Sequence, residues 1–424
     1  MAHRFNTLAL HGGIQTDDTG SRGVPLHRTS AYLFKNTEHA ANLFALKELG
    51  NIYTRLQNPT QDVLEKRVAA LDNGAAALAL SSGTAAIFYT IINVCGHGDE
   101  VVSTANLYGG TFTMFQNMLP EMGIKVNFVH PDKGEDIKSA ITDRTRLIFT
   151  EAIGNPSLDV TDIRLLAKVA QKHHLPLAVD ATFTTPYLFR PIDHGAHIVI
   201  HSLTKWLGGH GTALGGIVVD SGTFDWSDPK FTLYNAPDPS YHDLRWAHDI
   251  GELTAIAFIL RMRVGPLRNL GACISPDNAW LILQGIETLS LRMDAHCKNA
   301  LKVARFLENH EQVSWVRYPG LESDPSHPLA KELFENGFGG MVVFGTRGGR
   351  AGGQKFINSL TLVSHLANVG DAKTLAIHPA STTHSQLTEE ELVEAGVTGD
   401  MVRLSVGFED INDILEDLDQ ALKA

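Results

Sequence analysis

The feature that most constrains this chain is a regular alternation of short apolar runs with helical periods. Runs at Ala75–Leu80, Glu100–Ser103, Lys125–Val129, Arg146–Thr150, Leu177–Asp180, His197–His201 and Gly216–Val219 read as short buried strands. Several are separated by segments with helical spacing, such as Ala85–Val94 and Arg164–Lys172. That alternation predicts an α/β fold, a mostly parallel sheet with helices packed on it. Further on, Asp277–Glu308 keeps a strong helical period through Ala300, Leu301, Ala304 and Leu307. It predicts one long helix of the kind that links two domains. Strand-like runs at Trp315–Tyr318, Met341–Phe344, Leu362–His365 and Val402–Val406 then predict a smaller C-terminal α/β domain.

Two stretches interrupt the pattern. Residues 1–60 are rich in Gly, Thr and Asn, hold little helical periodicity, and read as an arm that contacts a neighbouring subunit. Residues 222–250, with Pro229, Pro237, Pro239 and several aromatics, read as a long ordered loop. The predicted organisation is an arm over 1–60, a large domain over 61–275 and a small domain with its linking helix over 276–424.

Composition narrows the function. The chain has 424 residues, 43% of them apolar, which excludes disorder as the main state. Its 35 Lys and Arg against 47 Asp and Glu leave a net charge of -12. Nucleic acid and anionic membranes are poor partners for such a chain. The longest apolar stretches, including Ala255–Leu260, fall far short of the ~20 residues that span a bilayer. The N-terminus, Met-Ala-His-Arg-Phe-Asn, shows no signal-peptide core. Cys95, Cys273 and Cys297 form no CxxC, which argues against a disulfide scaffold or a cysteine zinc site. A reducing cytoplasm fits best. The 20 histidines include no HExxH spacing, and no metal is expected.

Three segments carry chemistry. Ser81-Ser82-Gly83-Thr84 ends one strand and opens an alanine-rich helix. Free N–H groups and partial positive charge at a helix start favour phosphate, and Gly83 lets backbone approach an anion. The same Ser and Thr also cap helices that bind nothing. Asp180 ends the apolar run Leu177-Ala178-Val179, followed by Ala181-Thr182, at the place where ligands meet open α/β sheets. A pyridinium nitrogen is one partner for such a carboxylate; loop capping is the plainer role. The third segment is His201-Ser202-Leu203-Thr204-Lys205-Trp206, followed by Gly208-Gly209-His210-Gly211. A lysine just after a buried strand is costly unless paired, neutral or used covalently. Taken singly, these signals are weak. In this order and spacing they match what pyridoxal phosphate needs: a lysine for the aldehyde, an acid for the ring nitrogen, and donors for the phosphate.

Nearly the whole chain then resembles the Cys/Met-metabolism family of PLP-dependent transsulfuration enzymes. These have the aspartate-aminotransferase-like fold, PLP-dependent transferase fold type I. The resemblance starts at Phe5-Asn6-Thr7-Leu8-Ala9, continues through Tyr53-Thr54-Arg55-Leu56-Gln57-Asn58-Pro59-Thr60 and ends at Val402-Arg403-Leu404-Ser405-Val406-Gly407-Phe408-Glu409-Asp410. Three further segments resemble the branch that joins O-acetylhomoserine to sulfide: Pro237-Asp238-Pro239-Ser240-Tyr241-His242, Asn368-Val369-Gly370-Asp371-Ala372-Lys373, and the run from His378 to Leu387. Cystathionine synthases and lyases usually carry a Gly-Gly segment in place of Asn368–Asp371.

The resemblance implies the following roles. The large domain binds pyridoxal 5'-phosphate. Lys205 attaches the cofactor aldehyde and then moves protons, and Asp180, beside Thr182, pairs with the pyridinium nitrogen. Ser82, Gly83, Thr84, Ser202 and Thr204 hold the phosphate. Tyr53 and Arg55 reach the phosphate of a neighbouring subunit in a homotetramer with shared sites. Tyr108 stacks on the ring and positions the bond that breaks. Arg403, with Asn155 and the backbone near Ser364, binds the substrate carboxylate, for which arginine's planar fork is suited. The implied reaction is γ-replacement. The rivals are cystathionine synthesis, methionine or cystathionine γ-lysis, and use of O-succinyl- or O-phosphohomoserine or of a protein-bound sulfur donor.

Read alone, Tyr53 can be a core aromatic, Arg55 an exposed charge, Tyr108 a helix start and Asn155-Pro156 a turn. Arg403 in an apolar strand is harder to dismiss, since a buried arginine needs an anion. Trp206 and the aromatics of 226–246 read as packing. Gly154 stands where relatives often have a bulkier polar residue, which bears on the shape of the substrate pocket.

Overall fold

The computed structural model describes residues 3–16, 18–130, 134–383, 385 and 396–424. His384 and 386–387 of the third branch-like segment lie outside them. The first sheet has seven strands: β1 (Ala76–Leu80), β2 (Glu100–Thr104), β3 (Lys125–Val129), β4 (Thr145–Glu151), β5 (Leu177–Asp180), β6 (Ile198–Ser202) and β7 (Gly216–Asp220). Their order is β1-β7-β6-β5-β4-β2-β3. All neighbouring pairs are parallel except those of β7, which runs antiparallel to β1 and β6. The 203–215 connection into β7 is a series of turns with no helix to carry the chain back across the sheet. The carboxyl ends of the other six strands therefore share one edge.

Helices cover the sheet. Helix α3 (Pro59–Leu71) starts with proline at its first position, and the Asn58 side chain accepts the N–H of Thr60. Its buried Glu65 accepts the Ala79 N–H at 2.9 Å and pairs with Arg263 at 2.5 Å, joining helix to sheet. Helix α4 (Gly83–Val94) follows β1 directly. Leu177, Ala178 and Val179 of β5 are fully buried, because both faces of a parallel sheet are covered. Trp206, Trp226 and Trp246 are buried in the apolar clusters.

The second sheet comprises β8 (Val313–Arg317), β9 (Met341–Thr346), β10 (Ser364–His365), β11 (Leu375–Ile377) and β12 (Met401–Ser405), in the order β10-β11-β12-β9-β8. Only β10 and β11 pair in parallel. Its core joins it to the Leu289–Glu308 and Ile411–Lys423 helices through residues such as Ala300, Leu307, Val342, Leu404 and Leu418.

Two expectations are corrected. The predicted long helix is two helices, Pro276–Glu287 and Leu289–Glu308, broken at Thr288. The break brings the Gly285 carbonyl to the Arg292 guanidinium at 2.7 Å. Gly285 also lies so close to the lysine turn that a Cβ there would come within 2.1 Å of the Gly208 carbonyl oxygen. The 1–60 stretch, with little helical periodicity in its sequence, still forms helix. It contains α1 (Phe5–His11) and α2 (Thr37–Phe44), the latter capped by Asn36, whose side chain accepts the His39 N–H. Between these helices Leu33 is 99% exposed. Among the described residues no helix is long and apolar enough to cross a membrane.

Candidate active site

The strand ends and the start of α4 bring most of the expected residues to one edge of the large sheet. Asp180 closes β5, and its Oδ1 accepts the Thr182 N–H at 2.9 Å. Thr182 in turn accepts the Ser202 N–H at 2.8 Å through its hydroxyl oxygen, tying the end of β5 to the end of β6. Burial raises the Asp180 pKa, against the bonds from Thr182 and the potential of His201. His201 is itself buried against Asp72 at 2.8 Å. Among the described residues Asp180 has no ion-pair partner, so a ligand cation is the group that would best settle its charge.

A cradle able to hold an anion forms where α4 meets β6. Ser82 is the N-cap, and its Oγ accepts the Ala85 N–H at 3.1 Å. That leaves the N–H groups of Gly83 and Thr84 at the positive end of the helix. A Cβ added to Gly83 would lie 2.7 Å from the Ser202 Cβ and 3.1 Å from its Oγ. Glycine is therefore what lets the helix start and the Ser202 hydroxyl approach a common anion. Thr204 stands differently: its hydroxyl donates to the Gly215 carbonyl at 3.2 Å and accepts the Gly215 N–H at 3.1 Å. Ser82 and Thr204 thus have structural partners of their own, as the plainer reading of caps and turns allows.

Lys205 lies in the turn after β6, half-buried. Burial, with the charge of Arg403, lowers its pKa to about 8. Its Nζ donates to Oδ1 of Asn368 at 2.5 Å. Arg292 fixes the turn from behind, donating to the carbonyls of Trp206 at 2.7 Å and Leu207 at 3.2 Å.

Arg403, on β12, is 9% exposed, and its Nη1 donates to Asn155 Oδ1 at 2.9 Å. Burial lowers its pKa to about 10. No carboxylate pairs with it among the described residues. Asn155 is buried and aimed at this arginine, which is more than a turn residue requires. Ser364 is not joined to Arg403: it starts β10, and its N–H donates to the Thr374 carbonyl at 3.1 Å.

Tyr108 is 50% exposed and precedes the short helix Gly109–Thr113. Its ring lies over Gly110, where a Cβ would come within 2.6 Å of it. Tyr53 and Arg55 stack on each other, 5.3 Å from guanidinium to ring centroid, and both are exposed. Neither makes a hydrogen bond or ion pair with Gly83, Asp180, Ser202, Lys205 or Arg403 of its own chain. Gly154 packs on Asn106, where a Cβ would approach the side-chain Nδ2 to 2.6 Å.

Sequence reading missed three residues here as individual site members. Asn368 was visible only as part of a branch-like segment. Arg292 lies inside the helical period. Glu151, at the end of β4, carries the same signal as Asp180, an acid closing an apolar strand, and that signal could have found it. Among the described residues no cluster of His, Cys, Asp or Glu is arranged for a metal.

A lysine amine of lowered pKa, a helix-start anion cradle and Asp180 at the ends of parallel strands, with the buried Arg403 from the second sheet and no ion-pair partner for Asp180 or Arg403 among the described residues, define an α/β enzyme of PLP fold type I. The family described as Cys/Met metabolism PLP-dependent enzyme matches residues 6–423, and the chain belongs to it. An O-acetyl-L-homoserine sulfhydrylase of Leptospira meyeri is 54% identical, covering 98% of this chain and 96% of its own. A homocysteine synthase of Schizosaccharomyces pombe is 49% identical over 100% of this chain and 99% of its own. A crystal structure from Campylobacter jejuni, described as an O-acetylhomoserine (thiol)-lyase, is 40% identical, superimposes with a TM-score of 0.96 and covers 100% of both chains. It carries N'-pyridoxyl-lysine-5'-monophosphate at its position 205. The fit of pyridoxal phosphate to the residues present rests on the Gly83–Ser202 cradle, which a side chain at residue 83 would fill, and on Asp180, which has no ion-pair partner among the described residues.

Proposed function

We propose that this chain converts O-acetyl-L-homoserine and sulfide to L-homocysteine and acetate, a γ-replacement in methionine biosynthesis. The observation that carries the reading is Arg403: a buried guanidinium whose partner among the described residues is the neutral Asn155, within electrostatic reach of Lys205. That pair suits an α-amino acid, with the carboxylate on Arg403 and the α-carbon near the lysine amine.

When bound, pyridoxal phosphate supplies the electron sink that makes the substrate's Cα–H acidic. Lys205 holds it covalently until the substrate amine takes its place. Asp180 keeps the ring nitrogen protonated. Gly83, Thr84 and Ser202 hold the phosphate, with Ser82, Thr204 and Thr182 supporting them. The freed Lys205 amine, with a pKa of about 8, takes the proton from Cα near neutral pH and later returns it. A proton also leaves Cβ, the Cγ–O bond breaks, and acetate departs with its electron pair. Hydrosulfide then forms the Cγ–S bond, and protons return to Cβ and Cα. Tyr108 and Arg403 orient the substrate so that the Cα–H bond is the one that breaks.

In this reading the arm over 1–60 contacts a neighbouring subunit, 61–275 binds the cofactor and 276–424 forms the small domain. The exposed Tyr53 and Arg55 complete the phosphate site of the neighbour in a cytoplasmic homotetramer. The exposed Leu33 in the arm supports a contact with a second copy. The test is a panel of O-acetyl-, O-succinyl- and O-phosphohomoserine, each with sulfide and with cysteine, read by product analysis. Homocysteine should form fastest from the acetyl ester and sulfide. Cystathionine as the main product, or no homocysteine, would overturn the assignment.

A further inference from the structure

The parallel register of β4 and β5 places Glu151 directly beside Asp180. Residues so paired face the same side of a sheet, so two carboxyl groups meet at the floor of the site. Glu151 is 6% exposed and has no ion-pair partner among the described residues. Its Oε1 accepts the backbone N–H of Tyr108 at 2.7 Å. Two adjacent carboxyls in a dry site do not both ionise. Asp180 has the Thr182 N–H and the potential of His201 to favour its charge, whereas Glu151 has one backbone N–H. Burial first, and then the charge of Asp180, hold the Glu151 carboxyl well above the usual carboxylate range.

We propose that Glu151 is a positioning residue: uncharged beside Asp180, its carboxyl oxygen holds the Tyr108 N–H and so fixes the Tyr108 ring over the cofactor cavity. Asp180 is left as the one charged carboxylate at the floor. What Tyr108 does there rests on the functional reading above; the hydrogen bond and the neutral state of Glu151 do not.

Glu151→Gln and Glu151→Leu separate the roles. Glutamine keeps an uncharged acceptor of the same length, and leucine keeps bulk without an acceptor. Hydrogen exchange of the peptide spanning residues 105–112, read by mass spectrometry, reports the Tyr108 amide without substrate. Exchange at Tyr108 should be unchanged in Glu151→Gln and about tenfold faster in Glu151→Leu, in line with the loss of a buried hydrogen bond. In the cofactor-loaded enzyme, Glu151→Gln should keep kcat within about threefold. Glu151→Leu should lower kcat about tenfold or more, with the visible absorbance of the bound cofactor altered. Unchanged Tyr108 exchange in Glu151→Leu would overturn the proposal, as would a Glu151→Gln enzyme as impaired as Glu151→Leu. A parent enzyme that makes no homocysteine but shows the expected exchange pattern would remove the functional reading and leave this assignment supported.

Discussion

The Lys205 amine donates to the Asn368 carboxamide oxygen at 2.5 Å, a bond that ties the turn after β6 to the segment before β11. The partner is polar but uncharged. A carboxylate in its place would favour the ammonium form, whereas the amide orients the amine and leaves its pKa at about 8. Asn368→Asp should therefore raise the lysine pKa. Because the base acts when deprotonated, the acid limb of the kcat–pH profile should move to higher pH, by about one unit for an added carboxylate in contact. Asn368→Ala should lower kcat about tenfold with KM changed less than threefold, since orientation and not binding is lost. An unmoved acid limb in Asn368→Asp would show that the contact does not act on the lysine.

Arg403 and Arg55 test whether sites are shared. Arg403→Ala should raise KM for the amino acid by about a hundredfold, because a buried charge-assisted contact is lost, and Arg403→Lys should recover only part of it. Arg55→Ala should weaken cofactor retention. Each variant alone is expected to be nearly inactive. Co-expressed, they should recover about a quarter of parental activity, since mixed two-fold pairs contain one site with both arginines. No recovery in a verified mixed oligomer would place Arg55 in its own subunit's site.

Much of this site was legible because parallel strands are buried on both faces and leave continuous apolar runs. The apolar run Leu177–Val179 closed by Asp180 coincides with β5, so the pattern alone places Asp180 at a strand end. Ser82 and Gly83 at a helix start mark a place where an anion can sit, and the close approach of Gly83 to Ser202 is visible only in the fold. Other elements left no such trace. β11 spans only Leu375–Ile377, too short for a period, and α1 and α2 are short helices in a polar arm. The break at Thr288 was hidden because helical spacing continues on both sides of it. Glu151 and Asn368 acquire meaning only through register and tertiary contact: Glu151 through its pairing with Asp180, Asn368 through a lysine 163 positions earlier.

Arg292 and Gly209 set the lysine turn by contact, and this predicts a defect remote from the chemistry. Gly209 adopts a left-handed φ of 72° and approaches Arg292 so closely that a Cβ would lie 2.0 Å from Nη1. Gly209→Ala costs about 1 kcal/mol in backbone conformation alone. It also displaces a guanidinium that donates to the Trp206, Leu207 and Gly285 carbonyls and to the Thr288 hydroxyl. The melting temperature should fall by several degrees and the cofactor should dissociate faster on dilution, as expected when a buried polar network is broken. Arg292→Met should show the same cofactor loss, and a Gly209→Ala enzyme that keeps its cofactor as the parent does would rule out this role for the turn.

Asp220 predicts a pH effect on stability away from the site. It ends β7, is 1% exposed, and one oxygen accepts the Gly222 N–H at 2.9 Å while Oδ2 has no partner among the described residues. Burial pushes its pKa up from 3.8 to about 7. The folded chain therefore keeps the proton through a range in which the unfolded chain has released it. Stability from this group is full below about pH 4, falls as pH rises toward 7 and is level above that, a change of at most ~4 kcal/mol per site. Asn cannot ionise and keeps the acceptor for Gly222. Asp220→Asn should raise the melting temperature at pH 8 by several degrees, and the gain should shrink as pH is lowered to 5. Thermal unfolding of the two proteins across that range checks both the sign and the window. A gain that grows toward acid pH would mean that the Asp220 carboxyl is stabilised as the anion.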